Sequence, residues 1–338
     1  MQNSAEGTAL FKRIIISSLV LFLLLLLSMF LGLSIGPTGQ DVSEVLRTIL
    51  GRGDDQAITG AIIWRIRFPR VLLAALVGST LSLGGLVFQA LLRNPLAEPY
   101  ILGISGGSAV GAILGIMLGL SRFPGVAVLA FLGSMATLIM VLFIASGQKM
   151  IKENALLLGG VMVNAFCSAI IMFLVSLTKD ARLHSVLFWL MGDLSMSDSS
   201  QVLILLLILV PCFTVVMVLG RTMNLLLLGE ETALNLGVNV RAVSIGLLVL
   251  TSLMVSLTVC QSGLVGFVGL VMPHLLRLLL GPDHRVLVPA CILGGACFMV
   301  DCDLLARTLP AQGELPVGVI TALIGAPLFI FLLHRSKA

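Results

Sequence analysis

Charge is what this chain has least of. Asp, Glu, Lys and Arg make up 11% of its 338 residues, where soluble domains carry about a quarter. Hydrophobic residues make up 58%, and the mean hydropathy is +1.15. That balance excludes a water-soluble globular protein. The short alternating segments of a transmembrane β-barrel are missing too. Apolar runs near the length of about 20 residues that crosses a bilayer as helix recur from end to end. The chain therefore reads as an all-α integral membrane protein, with no soluble domain left once the runs are removed.

Catalytic and redox signatures are equally sparse. The six cysteines, Cys167, Cys212, Cys260, Cys291, Cys297 and Cys302, show no CxxC spacing and fall mostly in apolar runs, as small core residues do. No GxxxxGK[ST] phosphate loop is present, so ATP binding and hydrolysis in the usual way are excluded on this chain. No HExxH, GxSxG or paired metal-ligand motif occurs, and neither an enzyme nor a metal site is expected. Charges are rare in mid-run, which argues against a proton-relay pump. The energy source is expected on another chain. A net charge of +4 suits anchoring at a lipid surface better than nucleic-acid binding.

Ten spans can be drawn, at about 14–35, 70–92, 100–120, 124–146, 155–177, 201–219, 242–261, 264–280, 286–304 and 315–334, within a single domain covering 1–338. The first follows Lys12 and Arg13, is too long for a signal peptide and lacks a convincing cleavage site. With both termini inside, inner loops hold eleven Lys and Arg and outer loops nine, the sense of the positive-inside rule. Five of the nine sit in one loop, about 36–70, between the first two spans.

What lies between the spans carries the information. The Leu228–Gly237 segment has Glu230 and Glu231 where a helix N-terminus favours negative charge, and Gly237 where helices stop. A two-turn helix is marginal without something to pack on, and Ala233, Leu234 and Leu236 offer an apolar surface. It reads as a docking element, or else as an ordinary connection. Trp64-Arg65-Ile66-Arg67-Phe68-Pro69-Arg70 breaks the charge rule, either as a surface for an acidic partner or as arginines reaching lipid phosphates. Pro95 and Pro99 interrupt a helix around Asn94, Leu96 and Glu98, giving a broken helix near a pathway or a plain turn with Glu98 solvated. Gly107, Gly111, Gly115 and Gly119 recur every four residues, the pattern of close helix packing. Gly263 to Arg277, with Pro273, is expected to bend. His274 reads as a histidine hydrogen-bonded inside the fold, and Asp301, Asp303 and Arg307 as mutual partners or the lining of an opening.

Arg67-Phe68-Pro69-Arg70, the Gln89–Gly107 stretch with Asn-Pro-Leu-Ala-Glu-Pro, the Leu228–Val238 cassette, Gly263–Arg285 and Glu314-Leu315-Pro316-Val317-Gly318 together resemble the FecCD-type permeases. These are membrane subunits of ABC importers for iron-siderophore complexes, heme and cobalamin. The resemblance implies the type II importer architecture: about ten transmembrane helices per subunit and a homodimer in the bacterial inner membrane. It implies two cytoplasmic ATPases carrying ATP and magnesium, and a periplasmic or lipid-anchored binding protein. It places ATPase coupling on Gly229, Glu230, Glu231, Ala233, Leu236 and Gly237, within about 221–241. Arg67, Arg70 and Arg307 become docking residues for the binding protein. Asn94, Leu96, Glu153 and Asn154 become an inner gate, although relatives carry small hydroxyl residues at the last two. Import of an iron chelate is the leading reading, with cobalamin as the alternative. A secondary transporter driven by an ion gradient would need acids in mid-span, and a scaffold without transport would need no pathway.

Overall fold

The helices run α1 (Gln2–Ser34), α2 (Phe68–Leu91), α3 (Ile104–Met117), α4 (Ala127–Ser146), α5 (Glu153–Leu177), α6 (Asp180–Leu190), α7 (Ser199–Leu227), α8 (Glu230–Asn235), α9 (Val240–Ser262), α10 (Val268–Leu280), α11 (His284–Thr308) and α12 (Val317–Ser336). They belong to a computed structural model that describes residues 2–36, 45, 58–146, 153–195, 197–310 and 313–336. Seven helices (α1, α2, α4, α5, α7, α9 and α11) are long and apolar enough to cross a membrane, and α3, α10 and α12 are shorter apolar helices. Each of the ten spans read from the sequence overlaps one of these. Helix is what lipid demands, since it satisfies every backbone group within one segment.

α2 is the centre. Its most apolar stretch is 94% buried, against 11% for α1, and it packs on α7, α9, α10 and most extensively on α11. Glycine makes the closest crossings possible. A Cβ on Gly78 would lie 2.1 Å from the Gly295 carbonyl oxygen of α11, and one on Gly85 1.9 Å from that of Gly269 in α10. Backbones that near exclude any side chain. α3, α4 and α5 form a second group, joined to the first through α9.

The predicted glycine face is real for three of its four members. A Cβ on Gly107 would meet the Gly133 carbonyl of α4 at 2.3 Å, on Gly111 that of Leu129 at 2.0 Å, and on Gly115 the Val126 Cα at 3.0 Å. Gly119 is a correction: α3 ends at Met117, and Gly119 takes φ +74° just beyond it, beneath the Arg182 side chain. Its four-residue spacing is a coincidence of helix and stop signal.

Two features departed from expectation, and a third, the expected bend after Gly263, is located. Residues 58–70, read as loop, are helical: Ile58–Ala61 leads into a widened π-helical stretch, Ile62–Arg67, that runs straight into α2. α6 is an extra helix between the fifth and sixth spans, too short for the span criterion. Between α9 and α10 the chain leaves the helix, with Gly263 and Phe267 both at φ +69°. The freed amides there find partners, Leu264 N–H donating to the Trp189 carbonyl at 3.2 Å and Val265 N–H to the Tyr100 hydroxyl oxygen at 3.0 Å.

Candidate functional site

At one end of the bundle, α8 stands between two glycines, Gly229 at φ +107° and Gly237 at φ +83°. Glu230 and Glu231 occupy its first turn. It stops by paired bonds, Gly237 N–H to the Leu234 carbonyl at 2.9 Å and Val238 N–H to that of Ala233 at 3.0 Å, the Schellman arrangement that needs a left-handed residue after the helix. One residue ties it to the bundle. Ala233 is fully buried, while Leu228, Leu234 and Leu236 are 61%, 57% and 58% exposed. Ala233 was read as part of the apolar surface; it is instead the anchor, facing the bundle, and the leucines make the surface.

The end of α7 connects this element to α11. Asn224 Nδ2 donates to Asp283 Oδ1 at 2.7 Å, and Asn224 Oδ1 accepts from the His284 backbone N–H at 2.9 Å. The His284 ring Nδ1 lies 2.8 Å from the same oxygen, so that nitrogen carries the proton. Asp283 in turn caps α11, accepting from the Arg285 N–H at 3.0 Å. Partial burial opposes ionisation of Asp283, but the bonds from Arg285 and Asn224 outweigh it and hold its carboxyl down at about 2. Sequence reasoning missed both Asn224 and the cap at Asp283; the stop-and-cap signal in Gly281-Pro282-Asp283 could have located one half of the junction.

Beside α8 lies the α2–α3 turn, across a cavity of about 280 Å³ lined by Leu91, Arg93, Glu230, Leu234 and Arg241. Asn94 shapes the turn: its Oδ1 accepts from Leu96 N–H at 2.9 Å and its carbonyl from Ala97 N–H at 3.0 Å. Leu96 is 46% exposed. The turn is tied to α10 through Gln89, which donates to the Gly269 carbonyl at 3.2 Å and accepts from Arg277 at 3.1 Å. Glu98 is half-buried and not freely solvated. Glu153 and Asn154 open α5, and their side chains lie outside the described residues.

The opposite end buries its charge. Arg70 pairs with Asp303 (2.9 Å) and Glu314 (2.6 Å), and Arg307 reaches the second Asp303 oxygen at 3.1 Å. Arg307 also donates to the Gly32 carbonyl, while Arg67 donates to those of Leu33 at 2.6 Å and Ser34 at 3.1 Å. The two guanidinium groups thus occupy the carbonyl end of α1, where positive charge is favoured. Arg67, Arg70 and Arg307 are only 4%, 7% and 4% exposed, which corrects the picture of free docking arginines: they bind together the C-terminal ends of α1 and α11, the start of α2 and the approach to α12. Arg65, one turn earlier, is exposed. Asp301 is not a member of this cluster and is exposed. Nearby, Arg122 pairs with Asp193 at 2.8 Å, and together with Ser195 it holds that carboxyl below its usual range against the effect of burial.

His274 is buried, edge-on to the Phe329 ring at 5.9 Å, and neither ring nitrogen finds a hydrogen bond among the described residues. Its predicted internal hydrogen bond is therefore absent; a ring contact fills the site. Among the described residues no three His, Cys, Asp or Glu side chains group as a metal site.

The FecCD transport family model matches residues 24–335. This chain belongs to that family. Among curated relatives, the FecCD member is 39% identical over 325 residues to the hemin transport system permease protein of Yersinia pestis, covering 94% of this chain and 96% of the relative. It is 42% identical over 277 residues to the vitamin B12 import system permease protein of Klebsiella pneumoniae, covering 81% and 83%. A solved ABC transporter assigned to the metal-chelate type, in an inward-facing conformation, superposes with a TM-score of 0.85 at 33% identity over 94% of this chain and 98% of that one. PsaBC from Streptococcus pneumoniae, at 18% identity and a TM-score of 0.54, shares the fold alone. This FecCD permease is a multi-pass membrane protein, all-helical among its described residues.

Proposed function

We propose that this permease passes an iron chelate, a ferric siderophore or heme, inward across a bacterial inner membrane, driven by ATP and magnesium on partner subunits. The observation that carries this is the family match over nearly the whole chain, with a hemin permease among the relatives aligned almost end to end. Cobalamin is the second reading, supported by the 42% identity to a vitamin B12 permease. The assembly is two copies of this chain, two cytoplasmic ATPases docked on α8 and one binding protein at the opposite face, with both termini on the ATPase side.

In this reading the exposed leucines of α8 enter a cleft of the ATPase. Closure of the ATPases moves α8, the end of α7 moves with it, and the Asn224 junction passes the displacement to α11, whose far end holds Asp303 and Arg307. Packing without voids makes such elements shift as units. Asn94 and Leu96 sit beside the cavity where the inner gate opens. The exposed Arg65 meets acidic residues of the binding protein on a rim held in shape by Arg67, Arg70 and Arg307. Uptake into proteoliposomes loaded with the ATPase, measured with ferric siderophore, heme and cobalamin in parallel, tests the reading. Transport of one iron chelate but not cobalamin supports it; cobalamin alone selects the second reading, and uptake driven by an ion gradient without ATPase overturns both.

A further inference from the structure

α1 and α10 each pack on α11 and leave a furrow between them. It holds about 620 Å³, walled by Ile16, Val20 and Leu24 on one side and Leu276, Leu279 and Leu280 on the other. The furrow has no free polar group along its length, because the Ser17 hydroxyl donates to the Arg13 carbonyl at 2.8 Å. Its mouth is cationic: Lys12 and Arg13 line it, both exposed, and neither forms an ion pair among the described residues. The Arg13 guanidinium is also placed. A Cβ on Gly281 would lie 3.1 Å from its Nη2, so the group sits over the carbonyl end of α10, where the helix dipole attracts a cation.

We propose that this furrow is a binding site for an anionic phospholipid, its phosphate at Lys12 and Arg13 and one acyl chain along α1. The dimensions agree. Arg13 to Leu24 spans about 16 Å of helix, and one leaflet of the hydrocarbon core is about 15 Å deep. A polar occupant has nothing to bond inside the furrow, and an apolar protein helix leaves the two cations unmatched. A chain that is apolar below and anionic at the head satisfies both. Two basic side chains at a membrane surface discriminate an anionic from a zwitterionic headgroup by about thirtyfold. The inference rests only on the chain spanning a bilayer, so it survives whichever substrate is carried.

The test is native mass spectrometry of the detergent-purified full chain, titrated with phosphatidylglycerol and with phosphatidylcholine of the same acyl chains. Phosphatidylglycerol should bind about thirtyfold more tightly. Lys12→Gln with Arg13→Gln should abolish that preference, Lys12→Arg with Arg13→Lys should keep it, and Val20→Trp, which fills the furrow, should weaken both lipids. Millimolar glycerol 3-phosphate should displace neither. Equal affinity for the two lipids, a preference unchanged in the double Gln variant, or displacement by glycerol 3-phosphate alone would each overturn the proposal.

Discussion

At the end of the bundle where α1 stops and α2 begins, guanidinium groups are buried and paired; at the end that carries α8, the leucines of that helix are exposed and one alanine methyl holds the element. The first arrangement is costly to disturb. A buried ion pair gains little over apolar packing, but removing one partner strands the other. The second is cheap to move, because α8 is anchored by a single buried side chain and its own caps. The contrast separates a part whose geometry is fixed from a part able to change partners, as a permease driven from one face requires.

The comparison breaks most severely at Asp303, which accepts from both Arg70 and Arg307. Asp303→Asn leaves two buried cations facing one half-exposed carboxylate, Glu314, and is expected to cost about 3–5 kcal/mol. Thermal unfolding in detergent checks this; a midpoint within a degree or two of wild type would show that the charge cluster is not what fixes that end. At the other end, Leu234→Asp with Leu236→Asp should change stability by no more than about 0.5 kcal/mol, being exposed. It should nonetheless abolish co-purification of the ATPase and transport with it. Full retention of the ATPase would remove α8 from the docking surface.

Asn224→Ala tests the link between the ends. It removes three hydrogen bonds at the α7–α11 junction, worth about 0.5–1.5 kcal/mol each. The decisive readout is functional: ATPase binding and hydrolysis should persist while transport falls several-fold. Parallel loss of both would mean that the residue serves folding alone. A smaller effect is expected from Arg65→Glu, which should slow binding-protein association in a salt-dependent manner and leave the thermal midpoint unchanged. Salt-independent association in both proteins would move the docking surface elsewhere.

The spans were legible because lipid imposes composition directly: apolar runs near the length that crosses a bilayer, recurring from end to end with almost no charge inside them, have nowhere else to be stable. Gly107, Gly111 and Gly115 were legible for a related reason, since close helix contact demands the absence of a side chain. Arg70 was not. Its partner Asp303 is 233 positions away, and no local pattern distinguishes an arginine that greets a partner from one that folds inward onto a distant acid. α6 escaped because a short helix between spans carries no membrane signature, and Ala233 because exposure within a two-turn helix is decided by which face meets the bundle. The cassette itself was readable from its ends, the acidic first turn at Glu230 and the stop at Gly237, which act locally.

Asp283 supplies the finest test, because its ionisation reports the Asn224 bond directly. Its folded value of about 2 lies below the unfolded value of about 3.9. A depressed carboxylate contributes stability that is full above the unfolded value and lost as pH falls towards the folded one. Asn224→Ala removes one of the donors, so the folded value rises and less of that stability remains to be lost. The gap in thermal midpoint between the proteins with and without Asn224→Ala should therefore be widest near pH 6 and narrow steadily below pH 4. Asp193, whose partner Arg122 is at the far end, cancels in the difference, and both proteins carry His284→Gln so that the ring released from Asn224 does not titrate in this range. A gap that stays constant from pH 6 to pH 3 would mean that Asn224 does not bond the ionised Asp283, and the path from α8 to α11 would have to run through packing alone.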